Sequence, residues 1–253
     1  MTATPAFASF VRGWKKGALD FQLNSTDSNK INTYLPITER EFANNQELVN
    51  FTIQEGVESI GKEAFLDCLN LVSISIPSSV KKIGEGAFLG CDSLKALEIA
   101  EGVTSIGKNA FGMCESLESV SIPSSVKEIG EEAFVSCKKL KTVELNNGLK
   151  SIGKRAFTNC ISLEKLEIPE GVEHIGFGAL SLCKNLKYLF IPGSLEAQSY
   201  GINEGFYTKY LKGSRAQNLN ISIPFNLNIG NSDRQNREIG NKKLKYVKRD
   251  PLQ

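Results

Sequence analysis

Six cysteines recur at one constant interval in this sequence, and they are the residues whose types and spacing could do chemistry. They stand 23 residues apart and include every cysteine of the chain: Cys68, Cys91, Cys114, Cys137, Cys160 and Cys183. Thiolates act as nucleophiles, bind zinc and other soft metals, and pair as disulfides. Three kinds of site are therefore open at the start: a reactive thiol, a metal centre and a series of disulfides.

The interval of 23 residues is shared by other residue types, so the cysteines belong to a repeating unit. Phenylalanine fills one position in six copies and leucine fills it in the seventh: Phe42, Phe65, Phe88, Phe111, Phe134, Phe157 and Leu180. Leucine fills another position in all seven: Leu48, Leu71, Leu94, Leu117, Leu140, Leu163 and Leu186. Self-similarity at such a period predicts a solenoid, in which each coil buries its apolar side chains against neighbouring coils.

One copy of the repeat predicts three short elements. The segment "LVSISIP" alternates apolar and polar residues, which predicts a strand with Ile74 and Ile76 directed inward. "VKKIG" predicts a second, shorter extended piece with Val80 and Ile83 inward. "EGAFLGC" places apolar side chains at positions i and i+3, which predicts one helical turn with a buried face.

In such a stack the cysteines would form a straight column. Equivalent residues on adjacent coils lie about 4.8 Å apart, which is within the Cα range of a disulfide. The side chains, however, point the same way from each coil, and an inner cysteine has two equivalent neighbours. A zinc ion needs four ligands around a point, whereas a column is a line. We therefore predict buried thiols that act as small apolar side chains, and no metal site.

The repeat can be written AFxxCxxLxxIxIPxxVxxIGxx, and in this form it resembles the BspA-like leucine-rich repeat family. The resemblance extends from about Phe42 to Pro192. It implies a leucine-rich-repeat solenoid: a curved, right-handed stack of 23-residue coils with a parallel sheet on one face and short strands or helical turns on the others. It also implies the family's usual role, which is protein binding and adhesion, commonly at the surfaces of bacteria and some protists.

The repeats divide the chain into four predicted parts. Residues 1–41 are expected to form an N-terminal cap with a degenerate repeat, whose inward pair is Tyr34 and Ile37, and residues 42–192 to form seven repeats. Residues 193–225 are expected to form a C-terminal cap with an insertion and an eighth strand, because "LNISIP" repeats the strand signature. Residues 226–253 are polar and basic, and we expect them to form a mobile tail.

The cellular location and the class of partner are only partly constrained. No stretch of about 18 consecutive apolar residues occurs, so no transmembrane segment is predicted. The N-terminus lacks the basic region of a secretory signal, which at face value favours the cytoplasm, whereas the resemblance implies a cell-surface or secreted protein. The net charge of +2 gives no reason to expect a specific nucleic acid partner. The basic residues of the tail could make a weak anionic contact.

No catalytic residue, metal ligand or cofactor site is predicted. The single histidine, His174, stands in a column whose other members are all polar, so we expect it to be exposed. No acid or nucleophile recurs beside it, as general base catalysis would require. The P-loop, GxSxG and HExxH motifs are absent. The chain is therefore predicted not to be an enzyme.

Two further patterns alternate from copy to copy. Charges alternate in sign along two columns: Lys62, Glu85, Lys108, Glu131 and Lys154 in one, and Lys95, Glu118, Lys141, Glu164 and Lys187 in the other. Opposite charges on neighbouring coils would support the register and keep the protein soluble. The triplets "EGV" and "SSV" also alternate over four successive copies, which suggests duplication of a two-repeat unit.

The outward positions of the predicted strands are where a sheet-face partner would bind. The candidate residues lie in the later copies, where the outward positions are often acidic or aromatic: Glu98, Thr142, Glu144, Lys165, Glu167, Tyr188 and Phe190. The two aromatics have an alternative role beneath a C-terminal cap formed by Phe206, Tyr207 and Tyr210. The sequence therefore favours a non-enzymatic scaffold for an unidentified protein ligand. The alternatives are a structural spacer, a fragment of a larger surface protein, or an intracellular interaction scaffold.

Overall fold

The computed structural model describes residues 36–191 and three strand segments nearer the C-terminus, at 220–223, 237–238 and 243–248. Residues 36–191 form the predicted solenoid of 23-residue coils, because each strand lies beside the strand 23 residues further along the chain, as Asn50 does beside Ser73. None of the described segments is a helix of a length and apolarity that could cross a membrane.

Seven long strands, one from each coil, carry the outward positions. They are β1 (Asn50–Thr52), β3 (Ser73–Ile76), β5 (Ala96–Ile99), β7 (Ser119–Ile122), β9 (Thr142–Leu145), β11 (Lys165–Glu167) and β13 (Tyr188–Phe190). Neighbouring strands run parallel in two ladders, of which the first joins β1, β3 and β5 and the second begins at β7. The ladder is thus interrupted between β5 and β7.

Six short strands form a second parallel sheet on another side of the coils. They are β2 (Ser59–Ile60), β4 (Lys82–Ile83), β6 (Ser105–Ile106), β8 (Glu128–Ile129), β10 (Ser151–Ile152) and β12 (His174–Ile175). A glycine follows each of these strands because the coils approach closely there. A Cβ atom on Gly107 would lie 2.7 Å from the carbonyl carbon of Gly84 in the preceding coil. No side chain fits at that distance.

The inward residues that the alternation predicted are buried. Ile74 and Ile76 are 2% and 1% exposed, and Val80 and Ile83 are 0% and 2% exposed. The interior therefore consists of columns of identical or similar side chains, one per coil. Burial of each large aliphatic side chain contributes about 1.5–3 kcal/mol, and stacking supplies the partners that a single coil lacks.

The phenylalanine column is a stack of rings. Adjacent rings are nearly parallel, with centroids 5.1 Å apart between Phe88 and Phe111, 5.3 Å between Phe111 and Phe134, and 5.4 Å between Phe134 and Phe157. The stack ends at Phe157 because Leu180 occupies the next place in the column. These rings are fully buried.

The segment predicted as a helical turn is not helical. Within the coil, the backbone N–H of Leu89 donates to the carbonyl of Gly86 at 3.0 Å, while the N–H of Phe88 donates to Ala110 of the next coil at 2.7 Å. Helical bonding would use every N–H within the segment, whereas here alternate N–H groups bond to the adjacent coil. The spacing of apolar residues at i and i+3 fits both conformations, so it misled the sequence prediction.

Left-handed backbone conformations make this turn possible. Two residues of this turn have positive φ in each coil, and in one coil both are glycine: Gly86 at 59° and Gly90 at 74°. The same two places are filled in other coils by residues that rarely adopt this conformation, such as Met113 at 58° and Leu182 at 63°. The stack imposes these conformations, because the bonds to the neighbouring coil require them.

The chain continues the second ladder beyond the seven coils. The long strand β13 pairs in parallel with β14 (Asn220–Ile223), which pairs in parallel with β16 (Lys243–Lys248). A short strand, β15 (Arg237–Glu238), pairs antiparallel with β16. A strand is therefore present at "LNISIP". The strands β15 and β16 lie within the segment predicted to be a mobile tail, and its mobility stays a prediction. The segment "KLKYVK" contains residues that favour strands, which the count of basic residues overlooked.

At the N-terminal end, the predicted inward residue Ile37 is buried and bridges to Ile60. Its predicted partner Tyr34 lies outside the described residues, as does the rest of the segment before residue 36. The proposed cap residues Phe206, Tyr207 and Tyr210 lie outside them too. The boundaries proposed for the two caps therefore remain predictions.

Candidate binding surface

Two columns of side chains cover the outer face of the long strands. Alternation along each strand places the first and third residues outward, so Ala96 and Glu98 are exposed on either side of the buried Leu97. We call the first residues column 1, which runs Asn50, Ser73, Ala96, Ser119, Thr142, Lys165, Tyr188. The third residues form column 2, which runs Thr52, Ser75, Glu98, Ser121, Glu144, Glu167, Phe190. All seven predicted site residues belong to these columns.

The N-terminal half of this face contains a groove of about 650 Å³. Its lining includes Thr52, Ser75, Glu98 and Ser121 of column 2. The groove crosses the interruption between β5 and β7, and the inward residue Leu97 also reaches it. Of the predicted site residues, Glu98 is the one that lies in this groove.

Thr142 and Glu144 lie in the middle of the face, beyond the groove. Both side chains are exposed. Neither side chain makes a hydrogen bond or an ion pair within the part of the chain that the structure describes.

The C-terminal candidates contact one another. Lys165 Nζ lies 2.6 Å from Glu167 Oε1 and 5.2 Å from the centroid of the Phe190 ring. Tyr188 is 47% exposed on the adjoining position of β13. Pairing of β13 with β14 shows that these aromatics do not lie at the end of the sheet. Ligand contact and coverage by the C-terminal segment both remain open roles for them.

The cysteine column is buried and reduced, as predicted. All six thiols are free and 0% exposed. Each Sγ–H donates to the carbonyl of a phenylalanine in the preceding coil, as Cys137 does to Phe111 at 3.2 Å. Burial raises the pKa of Cys137 well above that of an ordinary thiol and the pKa of Cys183 to about 12. The pKa is also raised for Cys91, Cys114 and Cys160, whereas the hydrogen bond with Cys91 lowers the pKa of Cys68. The cysteines are therefore packing residues that also join adjacent coils, and the thiols from Cys91 onward are held in the protonated form.

His174 is exposed on β12, as the polar column predicted. Its backbone N–H donates to the carbonyl of Lys150 at 3.2 Å, which is part of the short-strand ladder. No cluster of three potential metal ligands occurs among residues 36–191 or in the strands described beyond them. The backbone of His174 thus takes part in the architecture of the coil.

Sequence reasoning missed a joint between coils that uses the "EGV" and "SSV" triplets. The carboxylate of Glu101 accepts hydrogen bonds from the backbone N–H groups of Ser124 and Ser125, at 2.9 and 3.0 Å. The Ser125 hydroxyl accepts from Gly102 N–H at 2.9 Å and donates to Val103 O at 2.7 Å. These bonds lower the pKa of Glu101.

The same joint forms two coils earlier, where the carboxylate of Glu55 accepts from Ser78 and Ser79. Two coils therefore form one unit of the stack. The alternation of the two triplets was the signal for this joint.

A family model describes most of this chain. The BspA type leucine-rich repeat region matches residues 21–134 and 104–212 and contains six copies of the repeat. The chain belongs to the BspA-type leucine-rich repeat family. This assignment confirms the resemblance drawn from the repeat and the solenoid that it implied.

Solved structures that are similar to this BspA-type chain are bacterial leucine-rich repeat proteins. A leucine-rich cell surface protein from Faecalibacterium prausnitzii is 23% identical, with 74% of this chain and 76% of that chain covered and a TM-score of 0.47. A leucine-rich repeat protein from T. pallidum is 25% identical, with 70% and 73% covered and a TM-score of 0.42. One from Bacteroides ovatus is 21% identical, with 79% and 69% covered and a TM-score of 0.39. No curated protein matches the chain.

Proposed function

We propose that this BspA-type protein is a non-enzymatic scaffold that binds a protein ligand through the outer face of its long strands. One observation carries the proposal. The interior positions repeat from coil to coil, whereas the outward positions vary. Column 1 changes from small or polar residues to Lys165 and Tyr188, and column 2 changes from small polar residues to mostly acidic ones and then Phe190. Packing fixes the interior, but it places no requirement on residues that face solvent.

Some charges beside the sheet form ion pairs with charges of the adjacent coil, which favours the unpaired carboxylates of the sheet face as ligand contacts. Lys187 Nζ lies 2.9 Å from Glu164 Oε2, and Lys108 Nζ lies 3.6 Å from Glu131 Oε2 on another side of the coils. By contrast, Glu98 and Glu144 have no ion-pair partner within the described part of the chain. Unpaired carboxylates on a rigid sheet can bind a ligand without first breaking an internal contact.

Rigidity is the second support for binding. Three sets of backbone hydrogen bonds join neighbouring coils: the long-strand ladders, the short-strand sheet and the alternating bonds of the turn segments. A surface held in this way loses little conformational entropy when a ligand binds. Action at a cell surface is part of the proposal and is supported by the family's usual role.

Site-specific photo-crosslinking tests the proposed face. A photoreactive phenylalanine analogue is placed at Thr142, on the sheet face, or at Glu128, which is exposed on β8. In cells that produce the protein, we expect one protein to crosslink to the Thr142 variant and not to the Glu128 variant. Equal crosslinking at both places, or none, contradicts the proposal and favours a structural spacer. Protease treatment of the intact cells, followed by detection of the chain, tests the surface location.

A further inference from the structure

The groove on the sheet face runs across the strands, along the direction in which the coils stack. Thr52, Ser75 and Glu98 are register partners on adjacent strands, and Ser121 follows across the interruption between β5 and β7. Adjacent strands lie about 4.8 Å apart, so three steps span roughly 14 Å. An extended peptide of about four residues has the same length.

The polar groups of the groove are not used by the fold. The hydroxyls of Thr52, Ser75 and Ser121 and the carboxylate of Glu98 make no hydrogen bond or ion pair with any other described residue. A neighbouring serine of column 1 differs in this respect, because Ser73 Oγ donates to Asn50 Oδ1 at 2.6 Å. Three donor–acceptor groups and one charge therefore face the groove without partners.

The charge of the groove selects the ligand. Two carboxylates, of Glu55 and Glu98, line it, and no lysine or arginine does. The carboxylate of Glu55 is oriented towards Ser78 and Ser79, so Glu98 carries the one carboxylate that is free for a ligand. No aromatic side chain lines the groove, which disfavours the stacking on which sugar recognition depends. Apolar contacts come instead from a proline and from aliphatic residues, among them Pro77, Leu97 and Ile99.

We propose that this groove binds an extended peptide segment of the partner protein, with a lysine or arginine side chain placed on Glu98. This inference rests on the proposed function and specifies the partner for one part of the sheet face. Small residues beside the basic side chain would allow the peptide backbone to reach the hydroxyls of Ser75 and Ser121. The sequence of the bound peptide would therefore contain a lysine or arginine between small residues.

Selection from a phage-displayed library of random heptapeptides tests the proposal on the full chain. Peptides enriched by the wild-type protein are measured by fluorescence polarisation against two variants. Glu98→Gln removes the charge in the groove, and Glu144→Gln removes the equivalent charge of column 2 outside the groove. Equal thermal unfolding temperatures for the wild type and both variants establish that all three are folded.

We expect the enriched peptides to contain lysine or arginine and to bind Glu98→Gln about fivefold more weakly, which is the upper end for an exposed ion pair. Binding to Glu144→Gln should be unchanged, and a peptide with glutamine in place of its basic residue should lose affinity to the same extent. The proposal is overturned if no peptide is enriched, if the enriched peptides lack basic residues, or if both variants weaken binding equally.

The two proposals fail in distinguishable ways. If the peptides lose affinity for the Glu144→Gln variant and keep it for the Glu98→Gln variant, the groove proposal is overturned, but the sheet face remains the binding surface. Absence of both peptide enrichment and crosslinking through Thr142 would overturn the groove and the proposed function together.

Discussion

Replacement of Phe111 by leucine tests how much the ring stack contributes to stability, and Phe157 provides the matched control. Both rings are 0% exposed, so leucine removes a similar area of contact at either place. Phe111 stacks on two rings, Phe88 and Phe134, whereas Phe157 stacks only on Phe134 among the described residues. The two substitutions thus differ by one aromatic pair. Leu180 shows that the column accommodates leucine.

The magnitude follows from the number of pairs lost. An aromatic pair contributes about 0.5–1.5 kcal/mol beyond its buried area. Phe111→Leu therefore loses roughly 1–3 kcal/mol from stacking and Phe157→Leu roughly half of that. The free energy of unfolding should differ between the variants by about 0.5–1.5 kcal/mol, with Phe111→Leu the less stable.

Urea unfolding followed by far-UV circular dichroism measures this difference. The comparison requires equal m-values, because solenoids can unfold in segments. Coincidence of the circular dichroism transition with the exposure of the cysteine thiols checks that each variant unfolds in one step. Equal destabilisation by the two substitutions, at equal m-values, would refute the reasoning that the rings contribute as stacked pairs.

Three other substitutions test the packing between coils. Gly107→Ala should destabilise by about 3 kcal/mol or more in urea unfolding, because the new methyl group meets rigid backbone. Gly112→Ala in the same coil is the control, because its new methyl group meets side-chain atoms that can move. A loss of stability as large as that of Gly107→Ala would contradict the clash with rigid backbone as the cause. Leu182→Gly relieves the strain of a positive φ, and Leu69→Gly is the control because Leu69 is similarly exposed. The Leu182→Gly variant should be more stable than the Leu69→Gly variant by about 1–2 kcal/mol. Equal stabilities of the two variants would contradict the strain. Glu101→Gln should lower the melting temperature at neutral pH. Because hydrogen bonding lowers the folded pKa of Glu101, its contribution is complete above the ordinary glutamate pKa and is lost as pH falls through the folded value. The two melting temperatures should therefore converge in acid, and a difference that does not depend on pH would contradict the role of the carboxylate.

Much of the coil could be predicted because burial and register both follow the period. Ile74 and Ile76 are inward since alternation in a strand leaves no other choice once one of them is buried. The exposure of Glu98, Thr142 and Glu144 follows from the same rule. These statements depend on position within the repeat and need no knowledge of neighbouring atoms.

Other features depend on contacts between coils that no residue type indicates. The positive φ of Leu182 is imposed by bonds to the adjacent coil, and leucine itself disfavours it. The groove around Glu98 extends across an interruption of the ladder, which is a relation between two backbones. The thiol bond from Cys137 to Phe111 likewise requires the stacked structure. Sequence periodicity predicts the conformation and burial within one coil, whereas the contacts between coils are known only from the structure.

The joint formed by Glu55 with Ser78 and Ser79 limits how the solenoid can change its length. Deletion of residues 78–100 would place Glu101 where Ser78 now lies, and two carboxylates would then face each other. Deletion of residues 78–123 would place Ser124 there and would preserve the joint. Over these four coils, the loss of coils is therefore compatible with the joints in even numbers, and a single coil cannot be removed without breaking one.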